Sequence, residues 1–189
     1  MRTAGQASAE LERIGRKARD AFVQIAHLQP RVTINNRVYF ERTTGVTELA
    51  LVSRQTEVEH EFMHTWAGST KRIKLHGTFD VKAGFDLHEN FSVDVREKEI
   101  VVRMPPAKIL SVEQKEMDVL EFENGLWNKI SSEDVQNEMA ALPKLAREKA
   151  QQSGLPAEAE VALRQQLEAR LGAERPVQIV VTPPTIAKP

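Results

Sequence analysis

The hydrophobic residues near the start of the chain recur at three- and four-residue steps. The apolar stripe consists of Leu11, Ile14, Ala18, Phe22 and Ile25. This spacing places them on one face of an α-helix, and charged residues fill the other faces. Pro30 ends the pattern. We expect the stripe to be covered by its own domain or by a second chain, because soluble monomers rarely expose a large apolar strip.

From Arg31 to about Val102 the hydrophobic residues instead alternate with polar ones, which predicts antiparallel strands joined by tight turns. The alternating segments are RVTINNRVYF, TELALVSRQTEVEHEFMHTW, TKRIKLHGTFDVKAGFDL and FSVDVREKEIVVRM. The pair Pro105-Pro106 ends this region. A further hairpin is predicted in MDVLEFENGLW, since Asn124-Gly125 is a strong turn signal.

Helical periodicity returns at Ser132, where a capping residue is followed by acidic first-turn residues. We expect Pro143 to break or restart this helix, because proline removes an interior hydrogen bond. Gly154 is typical of a helix C-terminus, and the next helix runs from near Pro156 to Gly172. The segment VQIVV predicts a last strand.

These patterns predict an α+β fold, with an antiparallel sheet of hairpins between an N-terminal helix and a helical C-terminal part. We divide the chain into an N-terminal helix that forms a stalk or juxtamembrane connection (1–30), a single α+β domain (31–182) and a tail (183–189). The tail is expected to be mobile, because its prolines and scarce apolar groups give it little to pack against.

Composition narrows the possible functions. The 189 residues carry a formal net charge of −1, so no global positive field favours nucleic acid. The chain has no cysteine, which rules out disulfides, thiolate metal sites and cysteine nucleophiles. No apolar run is long enough to cross a bilayer, and no signal peptide is visible, so this chain is expected to be soluble.

The segment HEFMH matches the H-E-x-x-H signature of zinc proteases, with His60, Glu61 and His64 in the ligand and base positions. Zinc binding requires a helix, where residues four apart share a face. On a strand the two histidines are about 13 Å apart and cannot share one ion. Alternation favours the strand, with a hairpin loop at Gly68-Ser69 that sets Glu61 opposite His76. We therefore reject the zinc site and expect no cofactor.

The segment KAGFDLHENF contains a second candidate site. Gly84 interrupts a strand, which indicates a bulge or a close approach of another backbone, and Asp86 and His88 follow. The simpler interpretation is a turn in which Asp86 caps local amides. The alternative is that Gly84, Asp86 and His88 contact a ligand or partner.

The helical segment LAREKAQQSGLPAEAEVALRQQL resembles a helix-turn-helix. Its second helix begins with Glu158 and Glu160, whose carboxylates would repel a phosphate backbone. A plain helical hairpin is the favoured interpretation, and we expect no nucleic-acid partner.

The order of motifs is similar to that of a bacterial family of domains of unknown function, number 4230 in that series. The motifs are TELALVSRQTEVE, KRIKLHGTFDVKAGFDL, IVVRMPPAKILS, AREKAQQSGLPAEAEVALRQQLEARLG and VQIVV. The resemblance covers about residues 39–181. It implies an extracytoplasmic domain that is held at the cell envelope by an N-terminal membrane anchor, which this chain lacks. It implies no catalytic residues.

The leading hypothesis is a non-enzymatic binding or scaffold domain at the bacterial envelope. Its partner would be an unknown protein, or a second copy bound through the N-terminal helix, and it would meet the membrane only through the absent anchor. The alternatives are a zinc-dependent hydrolase that uses HEFMH and a helix-turn-helix DNA-binding regulator.

Overall fold

A computed structural model describes residues 4–26, 31–34, 37–40, 48–86, 91–172 and 175–182. The helices and strands in chain order are α1 (Ala4–Ala26), β1 (Arg31–Ile34), β2 (Arg37–Phe40), β3 (Glu48–Trp66), β4 (Ser69–Asp86), β5 (Ser92–Val95), β6 (Ile100–Met104), β7 (Lys108–Glu123), α2 (Ser132–Gln152), α3 (Leu155–Leu171) and β8 (Val177–Val181). They form two compact units. Unit 1 comprises Met1–Leu51, Gly84–Lys108 and Ala157–Pro189, and unit 2 comprises Val52–Ala83 and Ile109–Pro156.

Unit 1 contains a five-stranded sheet in the order β2-β1-β5-β6-β8. The pairs β1–β2 and β5–β6 are antiparallel, as the alternating pattern predicts. The pairs β1–β5 and β6–β8 are parallel, so segments that are distant in the sequence lie side by side. The last strand is thereby paired with β6 through Ile100 to Met104.

The core of unit 1 is built from the apolar faces of α1 and α3 against this sheet. Leu11, Ile14 and Ala18 of α1 are buried, which confirms that the described part of the stripe is covered within its own unit. The side chains of Phe22 and Ile25 lie outside the described residues. Residues at four-residue spacing on α3 enter the same core, namely Leu163, Leu167 and Leu171.

Unit 2 is formed by most of the three-stranded sheet β3-β4-β7 and by α2. The α2 residues Leu142, Ala146 and Ala150 are buried at four-residue spacing. Inward residues of β4 such as Phe79 are buried with them. The prediction that Pro143 breaks the helix is wrong, because α2 continues through it. Burial of Leu142 and Ala146 on either side of the proline compensates for the missing backbone hydrogen bond.

Two turn predictions also need correction. The hairpin between β3 and β4 turns at Ala67 and Gly68, with φ angles of 46° and 79°, and not at Gly68-Ser69. Two positive φ angles are typical of a type I′ turn. Asn124-Gly125 is not the turn of a hairpin, because β7 ends at Glu123 and the chain then enters a loop that leads to α2.

The α+β class is confirmed, with its N-terminal helix, its hairpins and its helical C-terminal part with a last strand. The single domain over residues 31–182 remains a prediction, and the predicted mobile tail lies outside the described residues. Within the described ranges, none of the helices has the length and apolar character needed to span a bilayer.

Candidate interaction site at the tip of unit 2

The HEFMH segment lies within strand β3, as predicted. His60 Nε2 is 2.6 Å from Glu138 Oε2 on α2, and His64 Nδ1 is 3.2 Å from Asn128 Nδ2. Glu61 instead accepts a 2.7 Å hydrogen bond from Arg72 Nε, not from His76. This bond lowers the pKa of Glu61 below its usual value. The three residues therefore have separate hydrogen-bond partners. Among the described side chains, no group of three His, Asp or Glu is arranged to hold a metal ion.

The face of the sheet that carries Glu61 is lined by paired charges. Besides Glu61, Arg72 contacts Glu121 at 2.9 Å, and Lys74 contacts Glu59 at 3.1 Å. Farther along β4, Lys82 contacts Glu113 at 2.6 Å. Exposed pairs of this kind contribute little stability each. They make most of this face hydrophilic, although Met63, which lies on the same face of β3 as Glu61, is 65% exposed.

The opposite face of β3 and β4 meets the first turns of α2 through a polar layer. Lys71 Nζ donates a 2.6 Å hydrogen bond to Asp134 Oδ2. Asp134 also accepts from the backbone N–H of Ser131, whose hydroxyl caps the helix. The bond from Lys71, followed by the two from Ser131, lowers the pKa of Asp134 to about 2. This layer fixes the start of α2, and with it the loop that precedes the helix.

Residues 66–70 and 124–128 meet at one end of unit 2, and we call them the tip. The buried Ser69 hydroxyl accepts hydrogen bonds from the backbone N–H groups of Trp127 and Asn128, each at 3.3 Å. Gly125 is required here, because a Cβ atom at that position would overlap the Ser69 hydroxyl. The loop after β7 is therefore held against the β3–β4 turn.

Asn128 is the buried side chain that ties these segments together. Its Nδ2 donates to the carbonyl oxygens of His64 at 2.9 Å and Ser69 at 3.0 Å. The backbone carbonyl of Asn128 accepts a hydrogen bond from the backbone N–H of Gly125 at 3.0 Å. Asn124 Oδ1 accepts from the N–H of Ile130 at 2.8 Å. Four backbone donors of the loop thus have partners inside the protein, at Gly125, Trp127, Asn128 and Ile130.

On this fixed frame the tip displays large apolar side chains. Leu126 is 85% exposed, Trp66 61% and Trp127 55%. These are the two tryptophans of the whole chain. None of the ten tip residues is charged, although 28% of the chain is. Exposed aromatic and aliphatic residues gathered in one place are typical of docking surfaces.

Unit 2 also contains a shallow cleft of about 420 Å³. It is lined by residues that include Arg54, Thr56, Lys149 and Ser153. Its two cationic side chains already have hydrogen-bond acceptors within the protein. Arg54 donates to Ser153 Oγ at 2.8 Å, and Lys149 donates to the backbone carbonyl of Glu57 at 2.7 Å. The cleft therefore gives a weaker case for ligand binding than the tip.

The second candidate from the sequence has a structural explanation. Gly84 is buried, and a Cβ atom there would overlap the backbone carbonyl of Leu49, so the predicted close approach of another backbone accounts for the glycine. Asp86 Oδ2 accepts a 2.6 Å hydrogen bond from Lys108 Nζ. His88 lies outside the described residues. Contact of these residues with a ligand or partner stays a prediction.

The sequence contained a signal for the tip that periodicity did not detect. Both tryptophans fall in short uncharged stretches next to glycine turns, WAGST and NGLWN. The centres of these stretches, Gly68 and Leu126, are 58 positions apart in the sequence (126 − 68), so only the fold brings them together. The turn signal of Asn124-Gly125 instead predicts a hairpin at this place, which the structure does not contain.

Comparison with known proteins places the chain in a family. The family model described as "Protein of unknown function (DUF4230)" matches residues 31–179. A search of curated proteins and a search of solved structures each returned no match. The family match covers most of the chain, including both segments of the tip, and agrees with the resemblance carried by the sequence motifs. The chain therefore belongs to the DUF4230 family of proteins of unknown function.

Proposed function

We propose that this protein is a non-enzymatic binding domain of the bacterial cell envelope, and that the tip is its binding surface. The observation that carries the proposal is the combination of Leu126, Trp66 and Trp127 exposed on a frame fixed by Asn128. A preorganised loop loses little conformational entropy on binding, so exposed apolar area is converted efficiently into affinity. The resemblance to the family supports the envelope location.

The non-enzymatic part of the proposal is supported by the surroundings of the HEFMH residues. His60 and His64 are on a strand and bond to different residues, Glu138 and Asn128. Glu61 bonds to Arg72 on the charged face of the sheet. A general base must reach the water bound to a metal, which this arrangement does not allow. The DNA-binding alternative is disfavoured, because the carboxylates of Glu158 and Glu160 at the start of α3 would repel the phosphate backbone.

The proposal can be tested by thiol accessibility, because the chain has no native cysteine. A Leu126→Cys variant places one thiol at the tip, and Val161→Cys places one on the exposed surface of α3 as a matched control. Maleimide labelling is timed with and without native envelope membranes. We expect the membranes to slow labelling at position 126 several-fold and to leave position 161 unchanged. Equal rates at position 126 with and without membranes would contradict a binding role for the tip.

A further inference from the structure

We infer that the tip inserts into the boundary between headgroups and acyl chains of a phospholipid bilayer. This inference rests on the proposed function and names the occupant of the same surface. The contact would be separate from any membrane anchor, since it uses Trp66, Leu126 and Trp127 alone.

The first argument is the charge of the surface. The tip is uncharged, and its flanking charges Glu123 and Lys129 are of opposite sign. Lys71 and Arg72, which follow the tip on β4, are paired with Asp134 and with Glu61. A surface without free charge at its apex avoids the large cost of carrying an ion into a low-dielectric region.

The second argument is that four backbone N–H groups of the loop already have acceptors inside the protein. Where no water is present, each unpaired N–H group opposes insertion. In the loop of the tip, the N–H groups of Gly125, Trp127, Asn128 and Ile130 all donate to acceptors within the protein. The loop therefore enters an apolar phase without first having to find new partners for these donors.

The third argument is the type of side chain. Tryptophan is enriched at membrane interfaces because its large ring is apolar and its N–H group reaches the wet headgroups. Here the tip carries two exposed tryptophans and a leucine that is exposed over most of its surface. The two rings suit the interface, and Leu126 suits the outer part of the acyl region. A protein partner would need a complementary groove, and the tip offers it no charged side chain to recognise.

The tryptophans make the inference directly measurable. Because Trp66 and Trp127 are the only tryptophans and both belong to the tip, intrinsic fluorescence reports on this surface alone. On addition of phosphatidylcholine vesicles to the full chain, we expect the emission to shift to the blue and quenching by iodide to fall. Lipids brominated on the upper acyl chain should quench the emission. Because insertion is driven by apolar contact, adding salt or phosphatidylglycerol should change the partition coefficient less than twofold.

The decisive variant is Leu126→Ser, which keeps both tryptophans and alters a side chain with few contacts to lose. Removing one leucine that the bilayer buries is expected to weaken vesicle partitioning roughly ten- to a hundredfold. Val161→Ser, at an exposed valine of α3, is the matched control and should partition as the original chain does. Circular dichroism of each variant establishes that it is folded.

Each remaining outcome has a definite meaning. If vesicles cause no blue shift and no bromine quenching, or if Leu126→Ser partitions like the original chain, the lipid inference is overturned. If native envelope membranes protect the thiol at position 126 while pure lipid vesicles have no effect, the proposed function stands and the occupant is an envelope protein. If neither membranes nor vesicles act on the tip, both proposals fail together.

Discussion

At the scale of single residues, Asn128 determines the order of the tip. Its side-chain amide donates to two backbone carbonyls, at His64 and Ser69. We expect Asn128→Ala to lower the free energy of unfolding by about 1–3 kcal/mol, since it removes both of these hydrogen bonds from a buried side chain. Urea denaturation followed by circular dichroism measures the change. Asn137→Ala, at an exposed position of α2, is the control and should be nearly neutral. A loss of the same size in both variants would contradict this role.

Asp134 gives a prediction about acid. Its pKa is lowered from 3.8 to about 2 in the folded protein by Lys71 and Ser131. A carboxyl group with a depressed folded pKa contributes stability that is fully present above its unfolded pKa and is lost as the pH falls through the folded pKa. We therefore expect Asp134→Asn to melt at a lower temperature than the original chain at pH 6. The difference should shrink as the pH falls below about 4 and vanish only below the folded pKa of about 2. A difference that stays constant between pH 6 and pH 2 would show that the charge of Asp134 is not responsible.

The sequence allowed only half of this residue-level picture to be predicted. A serine cap followed by acidic residues is a local signal, and it correctly indicated the start of α2. The partner that lowers the pKa of Asp134 is Lys71, which is 63 positions away. Nothing local to either residue encodes that contact, so it required the fold.

At the scale of elements, the packing of α1 gives a prediction about stability. Ile14 is buried in the core of unit 1, whereas Arg16 on the same helix is exposed. Ile14→Ala should lower the free energy of unfolding by about 2–5 kcal/mol through lost burial and an unfilled cavity. Arg16→Ala should change it by less than about 0.5 kcal/mol. Chemical denaturation monitored by circular dichroism measures both, and equal effects would argue against the buried stripe.

The strand that carries HEFMH gives a prediction about metal content. Because β3 holds His60 and His64 at positions four apart along an extended chain, one zinc ion cannot contact both of them. Elemental analysis of purified protein should therefore find far less than one zinc per chain. Zinc bound one-to-one and lost on His60→Ala would restore the hydrolase hypothesis.

Elements were predicted well where periodicity decides and poorly where single turns decide. Alternation identified β3 and β4, and the faces they bury, because side-chain direction on a strand has a period of two. The turn at Ala67-Gly68 was placed one residue too late, which shifts the pairing by two residues and leaves the faces unchanged. The helix break predicted at Pro143 does not occur, because the burial of its neighbours on α2 outweighs the local propensity of proline.

At the scale of the whole molecule, the class of fold followed from the sequence but the pairing of distant strands did not. The parallel pairs β1–β5 and β6–β8 join segments with no shared turn, so no local signal specifies them. The same is true of the tip, whose two segments are brought together by the sheet and the loop before α2. The sequence thus predicted which segments become strands and helices, while the tip depends on the way these segments are assembled.

The division of the chain into units has a consequence for protein synthesis. All of unit 2 lies between Val52 and Pro156, whereas unit 1 needs Ala157 onwards in addition to earlier segments. A ribosome therefore completes unit 2 while the core of unit 1 still lacks Leu163, Leu167 and Leu171. Strand β6 likewise lacks its pairing partner β8 until the C-terminal segment has been synthesised. Such contacts between distant segments form slowly and leave apolar surface exposed to aggregation in the meantime. The nascent chain should accordingly depend on chaperones until its α3 segment has emerged.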